Sequence, residues 1–186
     1  MVNQNLQDGI FSELKRVFGN SNVKREWDVA KNSGDAYTRE LYCPRIDYAV
    51  GPFNIDAGIH QSDKSINGYY HLYRDFLMGL HLRSGIHGAL EPNHNPRCFL
   101  AVELENKTSK KHRIGSLINA SAMGKIGIIV ASDSKVFQSY VKIKRYLEFL
   151  EGVGKIQIAP RNVIMLTEAD FVEALRDRRQ SAAQNR

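Results

Sequence analysis

The chain has little that would carry it into a membrane and little that would staple it covalently. No window approaches the roughly 18 uninterrupted apolar residues of a membrane span. The opening MVNQNLQDG lacks the basic and apolar pattern of a signal peptide. A cytosolic protein with no membrane partner is therefore expected. Only two cysteines occur, Cys43 and Cys98, so a disulfide framework is excluded, and a chain with no export signal keeps its thiols reduced. Both cysteines fall in strand contexts, where the residue serves as a small buried hydrophobe. Neither an internal repeat nor a linker divides the 186 residues. With 42% hydrophobic content that length suits one compact domain with a sizeable core, and is too short to suggest two. The domain is expected over 1–179, with 180–186 as a frayed tail.

Several familiar motifs are present only in part. Gly152-Val153-Gly154-Lys155 has Phe149 where a phosphate loop has glycine, and Ile156 where it has serine or threonine. Ser132 and Lys135 have the spacing of a penicillin-recognising enzyme without its partner motifs, and read instead as a helix N-terminus. His87, His94 and Cys98 match the spacing of no common structural zinc site. His60, His71, His81 and His112 read as surface or satisfied side chains.

Positive charge, by contrast, is in excess: the net charge is +6 and the sequence pI about 9.3. Basic runs recur at Lys107–Arg113, Lys142–Arg145 and Arg176–Arg179. Each alone is an ordinary solvated face, and together they favour a polyanionic partner.

The apolar spacing of Leu6, Ile10, Phe11, Leu14, Val17 and Phe18 predicts a helix stopped by Gly19, with Glu13 just beside its stripe. Strands are expected over Val23–Trp27 and Tyr37–Tyr42, joined by a turn at 31–35. A hairpin is expected from Ile46–Val50 through Gly51-Pro52 to Phe53–Asp56. Residues 57–68 read as loop, Tyr69–Leu82 as a helix and 83–97 as a loop. After an apolar strand at 98–105, a helix over His112–Met123 is expected to bury Ile114, Leu117, Ile118 and Ser121. The wholly apolar stretch Ile126–Ala131 follows, as a central parallel strand would. That strand, helix and strand form a right-handed crossover. A helix over Val136–Leu150, one or two strands in 156–166, and a capping box Thr167–Asp170 opening a helix over Phe171–Arg179 complete the chain. The expected class is α/β, a mixed sheet flanked by helices.

Within this plan AVELENKTSK, residues 101–110, stands apart. Period-2 geometry sends Phe99, Ala101, Glu103 and Glu105 to one face and Cys98, Leu100, Val102 and Leu104 to the other. Two carboxylates then converge beyond an apolar strand. They belong either to a solvated edge or to a site where a cation or proton offsets their repulsion. A hard divalent cation is the economical answer, because Mg²⁺ is commonly held by one or two carboxylates with waters and substrate phosphate oxygens. Asp47, in CPRIDYAVGPF, is a third acid on a strand whose neighbours Ile46, Tyr48 and Val50 are apolar; the alternative is a strand-end ion pair with Arg45.

An acid on one strand, an apolar strand ending in acid-x-charged, then a helix and a buried parallel strand resembles the PD-(D/E)xK, or restriction-endonuclease-like, nuclease superfamily. The resemblance covers roughly residues 6 to 131, the α-β-β-β-α-β core of that fold. It implies that Asp47 and Glu103 bind the metal, with Mg²⁺ expected and Mn²⁺ as a substitute. Glu105 stands where the family usually has lysine; it would bind a second metal or orient the water, and Lys107 would stabilise charge on the phosphate. Two registers remain open, Glu103-Leu104-Glu105 with Lys107 as a displaced cation, or Glu105-Asn106-Lys107. The first is favoured because Val102 and Leu104 bracket Glu103 inside the strand. Glu13 matches the helix glutamate that many such nucleases project into the site. Lys110, Lys111 and Arg113 would track a nucleic-acid backbone by charge.

The implied activity is metal-dependent phosphodiester hydrolysis, in DNA by preference, by a monomer or a homodimer. Two other functions fit the residues: a nuclease-like fold that binds nucleic acid or a protein partner without cutting, and an unrelated metal-dependent hydrolase of a small phosphorylated substrate.

Overall fold

The structure, a computed structural model, describes residues 4–32, 44–54, 64–86, 88–106, 109–157 and 159–184. The chain opens with α1 (Gln4–Phe18), whose residues Ile10, Leu14 and Phe18 are buried at helical spacing. Gly19 stops it with a φ of 93°, a left-handed value that glycine adopts without a side-chain clash. A 3-10 turn (Asn20–Asn22) leads into β1 (Val23–Asp28), and a four-residue turn of helix, α2 (Val29–Asn32), follows. The expected strand at Tyr37–Tyr42 lies outside the described residues, as does Cys43.

Gly51-Pro52 is not a hairpin turn. β2 (Arg45–Phe53) runs straight through it, because β3 (Cys98–Glu105) offers partners on both sides: Val50 pairs with Leu100 and Phe53 with Cys98, with a shift of register between them. The helix expected from Tyr69 begins earlier and is divided in two. α3 (Lys64–Leu72) and α4 (Arg74–Arg83) meet at Tyr73. Asn67-Gly68 reads locally as a turn, yet Ile66 is fully buried, so tertiary packing overrides that preference.

From β3 the chain crosses through α5 (Lys110–Met123) to β4 (Gly124–Ala131), then through α6 (Ser134–Gly152) to a single strand β5 (Val163–Thr167), and ends in α7 (Glu168–Gln184). Asp133 caps α6 by accepting from the backbone N–H groups of Lys135 and Val136. Thr167 Oγ1 caps α7 by accepting the backbone N–H of Asp170, and its hydroxyl donates to the Asp170 carboxylate. α7 reaches Gln184, so the expected tail from 180 continues the helix. Gly152–Lys155 is the end of α6, where backbone N–H groups of residues 153–155 turn back onto its last carbonyls.

The five strands lie in the order β1-β2-β3-β4-β5. β1–β2 and β2–β3 are antiparallel, β3–β4 and β4–β5 parallel, so the sheet is mixed. One face packs a large core against α1, α3, α4 and α7, with Leu100, Val102, Ile128 and Ile164 from the sheet. The other packs Ile129, Ala131, Val163 and Met165 against α5 and α6. Alternation holds along β3 from Leu100 onward. It breaks at the first two residues, where Phe99 joins the large core and Cys98 packs with Ala101 beside Trp27. No helix among the described residues is long and apolar enough to cross a membrane.

Candidate functional site

Asp47, Glu103 and Glu105 come together at the C-terminal end of β3. The pairing of Tyr48 with Val102 carries Asp47 alongside Glu103 on the face of the sheet that α5 covers. Asp47 Oδ2 accepts the backbone N–H of Leu104 at 2.8 Å, so its carboxylate takes the place of a ladder partner at the strand end. The Asp47 and Glu103 carboxyls lie within hydrogen-bond reach of each other. Arg45, the alternative partner for Asp47, instead pairs with Glu26 at 2.8 Å.

These acids line a polar cleft of about 800 Å³ bounded by Gln7 of α1, Glu26 of β1, Arg45 of β2 and the first turns of α5. Glu103 and Glu105 are only 6% and 3% exposed. Burial, followed by the negative charges of Asp47 and Glu105, pushes Glu103 up to about 9. Burial also raises Asp47, with Glu26 and Glu105 adding to the rise and the Leu104 N–H opposing it. At neutral pH, with no cation present, the pair therefore shares a proton.

Glu105 is held differently. Ser116 Oγ donates to its Oε1 at 2.6 Å and His112 Nε2 lies 3.1 Å from the same oxygen. Its Oε2 is buried with no hydrogen-bond partner. Tyr140 of α6 lies nearby, its hydroxyl raised above the ordinary value by burial and then by the charge of Glu105.

The remaining expected residues divide. Lys107 lies outside the described residues, and of Lys110 only the backbone is described. Lys111 is exposed and lines the cleft. Arg113 is 8% exposed and lies on the buried side of α5. Glu13 is buried, bonded to Arg16 at 2.7 Å, and is not among the residues lining the cleft; Gln7 is the lining residue from α1. Ile118, expected in the core, is 41% exposed, because α5 turns Arg113, Ser116, Leu117 and Ala120 inward instead. Polar Arg113 and Ser116 on that buried face masked the true stripe. His87 lies outside the described residues, and Cys98 is fully buried with its Sγ toward the Leu100 carbonyl.

Sequence reasoning missed Glu26, Ser116 and the role of His112. Glu26 carries no signal beyond an ordinary strand charge, although it adopts a φ of 49°, rare for a residue with a side chain. A spacing of 11 residues separates Ser116 from Glu105, and only the turn of the chain into α5 makes them neighbours.

Among the described residues no three His, Cys, Asp or Glu side chains gather tightly enough to enclose a metal ion alone. Asp47 and Glu103 offer two carboxylates, and the nearby Glu105 adds to the negative potential on both. Oxygen donors of this number suit Mg²⁺, which keeps several waters and completes its shell on substrate phosphates. No protein-family model, no curated protein and no solved structure matches the chain.

Proposed function

We propose that the chain is a Mg²⁺-dependent endonuclease of the PD-(D/E)xK type, hydrolysing phosphodiester bonds in DNA, with Mn²⁺ able to substitute. The observation that carries this reading is the meeting of the Asp47 and Glu103 carboxyls inside a polar cleft at the end of a central strand. The element order supports it: with α2 set aside between β1 and β2, and α3 and α4 between β2 and β3, the elements α1, β1, β2, β3, α5 and β4 follow the α-β-β-β-α-β sequence of that fold, with β1–β2–β3 antiparallel and β3–β4 parallel.

Asp47 and Glu103 would hold the ion, Glu103 giving up the proton it otherwise shares. When bound, Mg²⁺ supplies Lewis acidity toward the phosphoryl oxygen and lowers the pKa of a water. In the reaction a water oxygen bonds to phosphorus, one sugar–oxygen bond to phosphorus breaks, and the leaving oxygen takes a proton. The chain's own contribution is to place the phosphate. Ser109 and Lys111 stand at the cleft rim, and the first turn of α5 presents backbone N–H groups there with no side-chain cap from Ser109. Gly115 leaves the adjoining wall free of a side chain.

The test is incubation of the purified chain with plasmid, linear DNA and RNA in Mg²⁺, Mn²⁺ or EDTA. Cleavage of DNA in either metal and none in EDTA is expected. Binding without cleavage in every condition would replace this reading with that of a non-cutting nuclease-like binder.

A further inference from the structure

Beyond the carboxylate pair, the α5 wall of the cleft carries one imidazole ring anchored on a buried acid. Ser116 Oγ donates to Glu105 Oε1 at 2.6 Å, and His112 Nε2 lies 3.1 Å from the same oxygen. The anchor is 3% exposed, while the His112 side chain is 41% exposed and lines the cleft. Nε2 is committed to Glu105, and Nδ1 has no partner among the described residues. A ring fixed at one nitrogen and open at the other is a preorganised donor, and losing little freedom on engagement is what makes such a contact effective. Donation at both nitrogens requires the imidazolium form, whose positive charge also opposes that of a neighbouring carboxylate. The other cations on the cleft are less suited: Arg45 is tied to Glu26 at 2.8 Å, and Lys111 is exposed on a flexible stem.

We propose that His112, oriented by Glu105 and Ser116, contacts the substrate directly, donating from Nδ1 to a non-bridging oxygen of the scissile phosphodiester. This rests on the nuclease reading and adds to it a named substrate contact. The contact makes and breaks no covalent bond; it meets the negative charge that grows on the phosphoryl oxygens as water attacks. Ser116 and Glu105 act through the ring and are positioning residues.

Two measurements test it. The first follows the ring nitrogen resonances of His112, assigned as those missing from His112→Gln, as a short DNA duplex is added to the folded wild-type chain in EDTA at low salt. They are expected to shift with DNA. The second is single-turnover DNA cleavage in Mg²⁺. His112→Ala is expected to lose about two to three orders of magnitude in rate while DNA affinity changes less than about threefold. His112→Lys, which restores a donor and a positive charge, is expected to recover at least a tenfold part of that loss, and thermal melting of each variant confirms folding. Ring signals indifferent to DNA, or an alanine variant that cuts at the wild-type rate, would overturn the proposal. Ring signals that respond to DNA in a wild-type chain that never cuts would instead sink the nuclease reading and leave the phosphate contact standing.

Discussion

Glu103 is pulled two ways: the end of β3 buries it, and its neighbours Asp47 and Glu105 repel its charge. Without a cation it keeps its proton up to about 9, whereas the unfolded chain releases it near the ordinary glutamate value of 4.5. The folded state thus holds a proton that the unfolded state lacks throughout that window, so this residue makes stability fall as pH rises from about 4.5 to about 9. The slope it contributes is at most about 1.4 kcal/mol per pH unit. Urea titrations across that range, in EDTA, should show Glu103→Gln flattening the dependence. An unchanged slope would mean that Glu103 is not the group holding the proton. A divalent cation competes with that proton, so saturating Mg²⁺ should raise the melting temperature more at pH 8.5 than at pH 6. Equal shifts at both would argue against carboxylate ligation by this pair.

At the scale of elements, the site depends on how closely α5 lies on the sheet. A Cβ on Gly127 would stand 2.8 Å from the backbone carbonyl of Ala120, a contact that cannot give by side-chain rotation. Glycine there lets α5 approach β4, and this approach carries Ser116 and His112 to Glu105. Gly127→Ala should therefore cost about 1–3 kcal/mol in chemical denaturation, and should weaken any metal-dependent activity by displacing the α5 wall. A neutral effect on both would show that the helix seats without that close contact. Much of this architecture was legible in the sequence. The wholly apolar Ile126–Ala131 marked the central parallel strand, and the alternation in AVELENKTSK set Glu103 and Glu105 on one face, because both patterns depend only on local periodicity. Asp47 was legible too, as an acid between apolar strand neighbours. What was hidden depends on contacts distant in sequence. Ile66 draws Asn67 and Gly68 into a helix, β3 keeps β2 running through Gly51-Pro52, and α5 buries polar Ser116 and Arg113 where an apolar stripe would be read. Glu13 lay beside the α1 stripe in the sequence, and in the fold it is buried and pairs with Arg16.

The whole molecule carries a net charge of +6 around a cleft whose floor is acidic and whose rim bears Lys111. Association with DNA should therefore be driven from the surface and opposed at the floor. Affinity for duplex should fall steeply with salt, since each phosphate contact contributes about −0.9 to the slope of log affinity against log salt. Lys111→Ala should reduce the magnitude of that slope by about one and weaken binding alike for all sequences; binding indifferent to salt would favour a small phosphorylated substrate instead. The acidic floor gives a different expectation for Glu103, whose substitution removes no basic contact to the phosphates and should leave binding intact. The most direct measurement sets those two effects against each other: DNA cleavage in Mg²⁺ by wild type and by Glu103→Ala, at matched folded fraction and matched DNA occupancy. The account predicts that wild type cuts and that the variant binds DNA at least as well while its cleavage is abolished. A variant that cuts DNA at the wild-type rate would contradict it.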